Sequence, residues 1–143
     1  MTTTSPWPLP WHHRLPLPTV LLLTENQRLN RWVKAGRVRA LRAHGHALTH
    51  NHLIRREWTA LDQARIVITL GWHDHGRRRD PNNWAPTGKA IVDGMVDAGL
   101  LPDDSTRHLI GPDMRAAHPD QPRPTPGTTF VTITIRPWRD DTP

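Results

Sequence analysis

The placement of proline is the feature that most restricts how this chain can fold. Proline fixes the backbone φ angle and has no N–H to donate, so it is excluded from helix interiors and from central strands. Nine of the fifteen prolines lie in two segments, 1–18 and 118–127. We therefore predict an extended, partly disordered, Pro-rich arm at 1–18. The remaining chain suffices for one domain, which we place at 19–138, followed by a tail at 139–143.

The chain carries a strong excess of positive charge. Nineteen Lys and Arg residues stand against thirteen Asp and Glu residues, which gives a net charge of +6, and seventeen of the cations are Arg. Such an excess predicts a polyanionic partner, for which nucleic acid is the usual one. The absence of Cys excludes disulfides, thiol catalysis and Cys-ligated metal sites.

The apolar runs of the chain are short. The longest covers residues 20–23, whereas a membrane-spanning helix needs about twenty apolar residues. Prolines at positions 6, 8 and 10 interrupt the N-terminal region, so we recognise no signal-peptide pattern there. We expect a cytoplasmic protein without a membrane partner.

Apolar periodicity predicts six elements of secondary structure. Alternation with a period of two marks strands, and recurrence with a period near 3.6 marks helices. The predicted elements are strands at 19–23, 64–72, 108–110 and 128–136 and helices at 25–48 and within 83–101. The resulting order, β-α-β-α-β-β, favours an α+β domain in which two principal helices accompany a small mixed β-sheet.

The first predicted helix has two distinct faces. Thr24 is its expected N-cap, because Gln27 follows three residues later in a capping-box pattern. One arc of the helix is apolar and is expected to face the core; it contains Leu29, Trp32, Val33, Gly36 and Ala40. The adjacent arc is basic and contains Arg28, Arg31, Arg39 and Arg42. The basic arc predicts phosphate contacts or a solvated helix surface, and its spacing leaves both open.

Carboxylates, amides and one Lys are concentrated within 25 residues of the chain. They are Asp80, Asn82, Asn83, Lys89, Asp93, Asp97, Asp103 and Asp104. Carboxylates in a basic protein are expected where Mg²⁺ assists phosphodiester hydrolysis, since hard divalent cations prefer oxygen ligands. Lys89 and Asp93 are four residues apart on the second predicted helix and should share one face. A capped helix with ordinary surface ion pairs would show the same spacing.

This stretch resembles the RusA family of Holliday junction resolvases. The family pattern runs from Arg-rich residues through Asp-x-Asp-Asn, a Lys and a helical Asp to a Gly and a closing Asp-Asp. The matching residues here are Arg77–Arg79, Asp80-Pro81-Asn82-Asn83, Lys89, Asp93, Gly99 and Asp103-Asp104. The resemblance extends over roughly 19–137 and is strong at 77–113. It implies a RusA-like fold.

The resemblance also implies a function and a set of site residues. The implied catalytic residues are Asp80, Asn82, Lys89 and Asp104, and the implied ligands of Mg²⁺, or of Mn²⁺, are Asp80, Asn82, Asp103 and Asp104. The implied protein is a homodimeric, metal-dependent endodeoxyribonuclease that resolves four-way DNA junctions by paired hydrolysis in recombination and repair. No small-molecule cofactor is implied. Arg77, Arg78, Arg79 and the basic arc of the first helix are expected to bind DNA.

Two departures from the family pattern leave an alternative function open. Asn82 stands where the family has its second metal-binding Asp, and residues 84–88 make the spacing to Lys89 longer than usual. An amide oxygen can bind Mg²⁺ but carries no charge. The alternative is a branched-DNA-binding protein in which catalysis is weak or lost.

Histidine and tryptophan provide weaker candidates. His50-Asn51-His52 spells the name of the HNH nucleases, but the residues around it lack the pattern of that family, so we interpret the match as chance. The His pairs 44/46, 50/52 and 73/75 have a spacing that can bind zinc, but we expect them to be solvated. His73 and His75 lie near Asp80 in the sequence, where they would be able to contact the metal site or a phosphate. Trp84 is expected either to stack on an unpaired base or to pack against the start of the second helix.

Overall fold

The computed structural model describes residues 7–74 and 78–139 and shows an α+β fold. Within these residues the strands are β1 (Trp11–Pro18), β2 (Ala64–Trp72), β3 (Leu109–Ala116) and β4 (Thr128–Arg136). The α-helices are α1 (Arg31–Ile54) and α2 (Ala85–Asp97), and 3-10 turns lie at Thr19–Leu21 and Pro81–Trp84. The predicted fold class, a small mixed sheet with two principal helices, is confirmed.

The four strands form one sheet in the order β1-β4-β2-β3. Strands β2 and β3 are parallel, and β4 runs antiparallel to both β1 and β2. Alternate residues of β2 are fully buried, and the residues between them are half-buried, so one sheet face carries the core. Both helices contribute to this core: Leu41 and Leu48 of α1 and Ile91 and Met95 of α2 pack in the same cluster. Because β2 and β3 are parallel, their carboxyl ends meet at one edge of the sheet.

Strand β1 corrects the prediction for the N-terminal arm. Residues 11–18 pair with β4 in antiparallel register over their whole length, from Trp11 opposite Ile135 to Pro18 opposite Thr128. Proline is compatible with a strand at the edge of a sheet, where part of the backbone has no ladder partner. This part of the arm is extended, as expected, but belongs to the sheet, while 1–6 and 140–143 lie outside the described residues. The strand predicted at 19–23 is also wrong, because Thr19–Leu21 is a 3-10 turn.

Helix α1 begins and ends later than the sequence predicts. The Gln27 side chain does accept a hydrogen bond from the Thr24 N–H at 3.2 Å, but this contact closes a local turn. The helix begins at Arg31, where the Asn30 side chain accepts from the Val33 N–H at 2.9 Å. Its end at Ile54 lies six residues beyond the predicted one.

The predicted core face of α1 is wrong in its first turn. Trp32 is 73% exposed and Val33 is also exposed. The buried residues lie in the middle of the helix and are Leu41, Gly45, Leu48 and Thr49. This is where α2 crosses α1: a Cβ atom built on Gly45 would lie 1.9 Å from the Ile91 carbonyl oxygen, which shows how closely the two backbones approach.

Helix α2 follows the prediction closely. Ile91, Val92 and Met95 are buried on its apolar face. The helix is followed by Gly99, whose φ of +99° is readily adopted only by glycine and whose N–H bonds to the Val96 carbonyl at 2.9 Å. Gly99 is therefore where the helix stops.

A cluster of aromatic and histidine rings joins β1 to the carboxyl end of α1. Trp58 stacks between His52, with ring centroids 3.9 Å apart, and Trp11, at 5.6 Å. His13 Nδ1 lies 2.8 Å from His52 Nε2, and His52 Nδ1 lies 3.3 Å from Glu57 Oε1. Burial lowers the pKa of His13, and the neighbouring His52 lowers it further against the opposing effect of Glu57. Burial also lowers the pKa of His52.

We expect this cluster to make folding stability depend on pH. When the pH falls below about 6.5, histidines of the unfolded chain take up protons at their ordinary pKa. His13 and His52 in the folded protein bind these protons only at lower pH, so the free energy of unfolding decreases as the pH falls through this range. The melting temperature should be lower at pH 5.5 than at pH 7.5. His52→Gln should reduce this difference, whereas His44→Gln, at an exposed position of α1, should leave it unchanged. Equal melting temperatures at the two pH values would contradict the expectation.

Candidate active site and nucleic-acid interface

Lys89 lies between two carboxylates in a cavity of about 460 Å³ beside α2. Its Nζ atom is 3.4 Å from both carboxylate oxygens of Asp93 and 3.9 Å from Oδ2 of Asp104. The predicted shared face of Lys89 and Asp93 is thus confirmed, and Asp104 joins them from the loop before β3. Glu25 completes the charged lining, and Val92 and Leu109 are among the apolar residues of the wall. The cavity is open to solvent, so its ion pairs are screened.

Asp80 and Asn82 lie in a second, neighbouring cavity of about 610 Å³. The Asp80 Oδ1 atom accepts a hydrogen bond from the Asn82 N–H at 3.0 Å, which caps the turn Pro81–Trp84. This local geometry follows from the sequence, because Asp favours the cap position and Pro favours the first position inside. One oxygen of Asp80 is engaged in this way, and the exposed Asn82 side chain borders the same space.

Glu25 lines both cavities and is the functional candidate that sequence reasoning missed. Its N–H donates to the Asn83 carbonyl at 2.9 Å, and the Asn26 side-chain amide donates to Asn83 Oδ1 at 3.3 Å. These bonds fix the loop before α1 against the turn before α2. The sequence offers little signal for this role, because Glu25 falls at the start of the helix predicted at 25–48.

Asp103 stabilises a turn instead of joining the other carboxylates. Its Oδ1 atom accepts from the Ser105 N–H at 2.7 Å, and its Oδ2 atom lies 3.9 Å from Nε2 of His108. The hydrogen bonds from Ser105 lower the pKa of Asp103. This role in the loop before β3 accounts for its position without a metal.

The four predicted metal ligands do not form one shell. Asp104 lies in the Lys89 cavity, Asp80 and Asn82 lie in the neighbouring one, and Asp103 faces Ser105. Across 7–74 and 78–139, no group of three or more His, Asp or Glu side chains is arranged to hold a metal ion. Exposed carboxylates with a neighbouring amide do suit a hard cation that keeps most of its waters. The residues present therefore fit Mg²⁺ held by one or two carboxylates, not a closed protein cage.

The predicted DNA-binding arginines are in different environments. Arg28 precedes α1, so it does not belong to the helical arc, whereas the exposed Arg31 and Arg39 lie on the helix. The Arg31 guanidinium lies over the Trp32 ring, 4.8 Å from its centroid. Arg42 forms a two-bond ion pair with Asp97, which raises the pKa of Arg42 and lowers that of Asp97. The basic arc is therefore shorter and partly neutralised.

The arginines before Asp80 lie beside the second cavity. Arg78 is exposed, whereas the side chain of Arg79 is 14% exposed. The Arg79 guanidinium donates to Asp74 Oδ1 at 2.7 Å and lies 4.8 Å from the centroid of the Trp72 ring. Arg77, also predicted to bind DNA, lies outside the described residues.

Trp84 packs against Trp72, with ring centroids 5.0 Å apart, at the border of the second cavity. Trp84 therefore packs within the protein at the start of α2, which is one of the two arrangements expected from the sequence. Its half-buried ring still lines the cavity that contains Asp80. His73 Nδ1 lies 3.0 Å from the Pro124 carbonyl oxygen. His75 lies outside the described residues, and His52 belongs to the aromatic cluster.

Comparisons with protein-family models and with curated proteins found no match to this chain. Among the residues that the structure describes, no helix combines the length and the apolar character needed to cross a membrane.

Proposed function

We propose that the protein is a RusA-like, Mg²⁺-dependent endodeoxyribonuclease that resolves four-way DNA junctions in the cytoplasm, in recombination and repair. The observation that carries this proposal is the arrangement of Lys89, Asp93 and Asp104 in one open cavity, next to a cavity lined by Asp80, Asn82, Arg78 and Arg79. Cations that bind phosphate and carboxylates that bind a hard cation lie side by side. Phosphodiester hydrolysis needs both.

The roles of the residues follow from their positions. Lys89, with an exposed ammonium, would donate to a nonbridging oxygen or to the leaving oxygen of the scissile phosphate. Asp93 and Asp104 would hold the ammonium in place before substrate enters. Asp104 in the Lys89 cavity and Asp80, with Asn82 beside it, in the neighbouring cavity would each hold Mg²⁺ through one carboxylate, with water completing the shell. When bound, the ion supplies an activated water and neutralises developing negative charge.

Paired cleavage of a junction requires two active sites. We propose that these are provided by a homodimer, with one site on each subunit acting on opposed strands. Arg78 and Arg79 at the second cavity, with Arg31 and Arg39 on α1, would contact the phosphate backbone. These contacts position the DNA, whereas the branched shape determines where it is cut.

The direct test is cleavage of a synthetic four-way junction in Mg²⁺ or Mn²⁺, combined with a gel shift in EDTA. We expect two symmetric nicks with ligatable ends and no cleavage of a linear duplex of equal length. Tight junction binding without cleavage in either metal would reject the nuclease function and leave the binding function.

A second candidate, a branched-DNA-binding protein without catalysis, is favoured by one observation. The predicted ligands are divided between two cavities, and Asn82 contributes no charge to either. A protein that only binds junctions would retain the cations and would not need the carboxylates to converge.

Asn82→Asp tests whether position 82 belongs to the metal site. The substitution adds a negative charge close to Asp80 and should lower the Mg²⁺ concentration needed for half-maximal cleavage. The same charge repels Asp80 when no metal is bound, so the variant should melt below wild type in EDTA and gain more from added Mg²⁺. Both effects should be absent from the control Asn51→Asp, at an exposed position of α1. Metal dependence and melting equal to wild type would place residue 82 outside the site.

A further inference from the structure

A cleft rich in arginine lies at the carboxyl ends of the parallel strands β2 and β3. Its cavity of about 210 Å³ is lined by Arg78, Arg79, Arg123, His118 and Gln121 over the backbone of Gly71. A neighbouring cavity of about 310 Å³ adds Arg14, Phe130 and two threonines. Among the residues that the structure describes, no Asp or Glu lines either cavity. We call the two together the arginine cleft.

The arginine cleft is continuous with the candidate active site. Its two cavities share His118 and Gln121. The cavity with Arg123 shares Trp72, Arg78 and Arg79 with the cavity that contains Asp80. Glu25 then connects the Asp80 cavity to Lys89. The four cavities therefore adjoin one another in a row, which we call the groove, from Arg14 at the edge of the sheet to Lys89; the row is cationic at one end and rich in carboxylates at the other.

The loop between β3 and β4, residues 117–127, is held in place around the arginine cleft. The Ala117 N–H donates to the Leu70 carbonyl at 2.8 Å, and the Thr19 N–H donates to the Gly127 carbonyl at 2.9 Å. His73 lies 3.0 Å from the buried Pro124 carbonyl. These contacts and the four prolines of the loop reduce the entropy that would be lost on binding a ligand next to Arg123.

The cations of the arginine cleft differ in whether an anionic side chain of the protein already pairs with them. Arg79 is held by Asp74, and His118 lies 3.3 Å from Asp120. The Arg14 guanidinium lies over the Phe130 ring, 4.8 Å from its centroid, and Arg14 as a whole is exposed. Neither Arg14 nor Arg123 forms an ion pair with any residue that the structure describes. A polyanion that lies along the groove can therefore contact both.

We propose that the arginine cleft binds the sugar–phosphate backbone of the DNA arm that leads away from the candidate active site, with Arg14 and Arg123 each contacting a phosphate. This inference rests on the proposed function for the direction of the DNA, but its residues are separate from those that would perform the chemistry. The absence of acidic lining distinguishes the cleft from the Lys89 cavity and suits a ligand that carries a negative charge at every repeat.

The test is the salt dependence of junction binding in EDTA for the double variant Arg14→Ala/Arg123→Ala. The slope of log K against log salt is negative, and each lost phosphate contact makes it less steep by about one unit. We therefore expect the magnitude of the slope to decrease by about two units, and slope below means this magnitude. Arg55→Ala/Arg56→Ala removes the same charge from the end of α1 and should leave the slope unchanged. Melting temperatures measured alongside show whether each variant is folded. If the double variant is unfolded, the single exposed substitution Arg123→Gln should still lower the slope by about one unit.

The possible results separate this inference from the proposed function. A reduced slope in a protein that never cleaves would support the arginine cleft and reject the nuclease. Normal cleavage by wild type, together with a folded double variant whose slope matches that of the control, would reject the cleft and leave the nuclease. Equal reductions in both double variants would show a general effect of charge and would also reject the cleft.

Discussion

Replacing Asp80 or Asp104 by Asn is expected to abolish cleavage of a four-way junction while junction binding is kept or strengthened. Each substitution removes a charged oxygen ligand and lowers affinity for Mg²⁺. It also removes a negative charge that repels the DNA phosphates, which explains why binding should not weaken. We expect cleavage to fall by about a hundredfold or more, as is common when a group that stabilises the transition state is lost. Single-turnover cleavage and gel shifts in EDTA measure the two effects separately.

Asp62→Asn provides the matched control for these variants. Asp62 is 82% exposed, its nearest ionic neighbour is His108, and it lines neither of the two cavities. The same change of charge at this position should leave cleavage intact. Because Asp80 and Asp104 lie in neighbouring cavities, loss of cleavage in only one variant would place the chemistry in that cavity. Wild-type cleavage by both variants would reject the proposed metal site.

Gly94→Ala and Gly45→Ala are expected to destabilise the protein severely. A Cβ atom on Gly94 would lie 1.9 Å from the Arg42 carbonyl oxygen, and one on Gly45 would lie 1.9 Å from that of Ile91. Both obstacles are backbone atoms of the opposing helix, so a rotamer change cannot relieve them. The helices would have to move apart and lose the packing of Leu41 and Met95. We expect a loss of about 3 kcal/mol or more in the free energy of unfolding, equivalent to a decrease of about 10 °C in melting temperature.

Gly36→Ala is the control for the helix crossing. Gly36 lies on the same helix as Gly45, but a Cβ atom built on it would meet the end of the Arg39 side chain at an ordinary contact distance of 3.9 Å. Since Ala stabilises a helix by about 1 kcal/mol relative to Gly, this variant should melt above wild type. Denaturant titration of the three variants gives the comparison. Stability of Gly94→Ala or Gly45→Ala close to that of wild type would show that the two helices are not held at the described distance.

The sequence determined those elements whose pattern is local. The strands predicted at 64–72 and 128–136 are confirmed with the same bounds, because alternation with a period of two directly encodes a strand with one buried face. The apolar face of α2 and its stop at Gly99 follow equally from local periodicity and backbone preference. Lys89 and Asp93 also meet as expected, since residues four apart on a helix are neighbours.

Tertiary structure decided where local signals were ambiguous or misleading. The Thr24 capping pattern forms its hydrogen bond, yet the helix begins only at Arg31, because the intervening loop bonds to Asn83 instead. The prolines of β1 argued against a strand, but an antiparallel partner, β4, is available along its whole length. Trp32 is exposed because α2 crosses α1 near Gly45, away from the first turn of α1. The position of this crossing cannot be predicted from the periodicity of α1 alone.

The candidate site divides in the same way. The sequence identified Asp80, Lys89 and Asp104 as residues with the chemistry of phosphodiester hydrolysis, because residue type and order are local information. It gave no means of placing Asp80 and Asp104 in separate cavities or of adding Glu25 to both. Nor did it bring Arg14 and Arg123 to one groove. These distances are set by the packing of elements far apart in the chain, and they depend on the free energy of the whole fold.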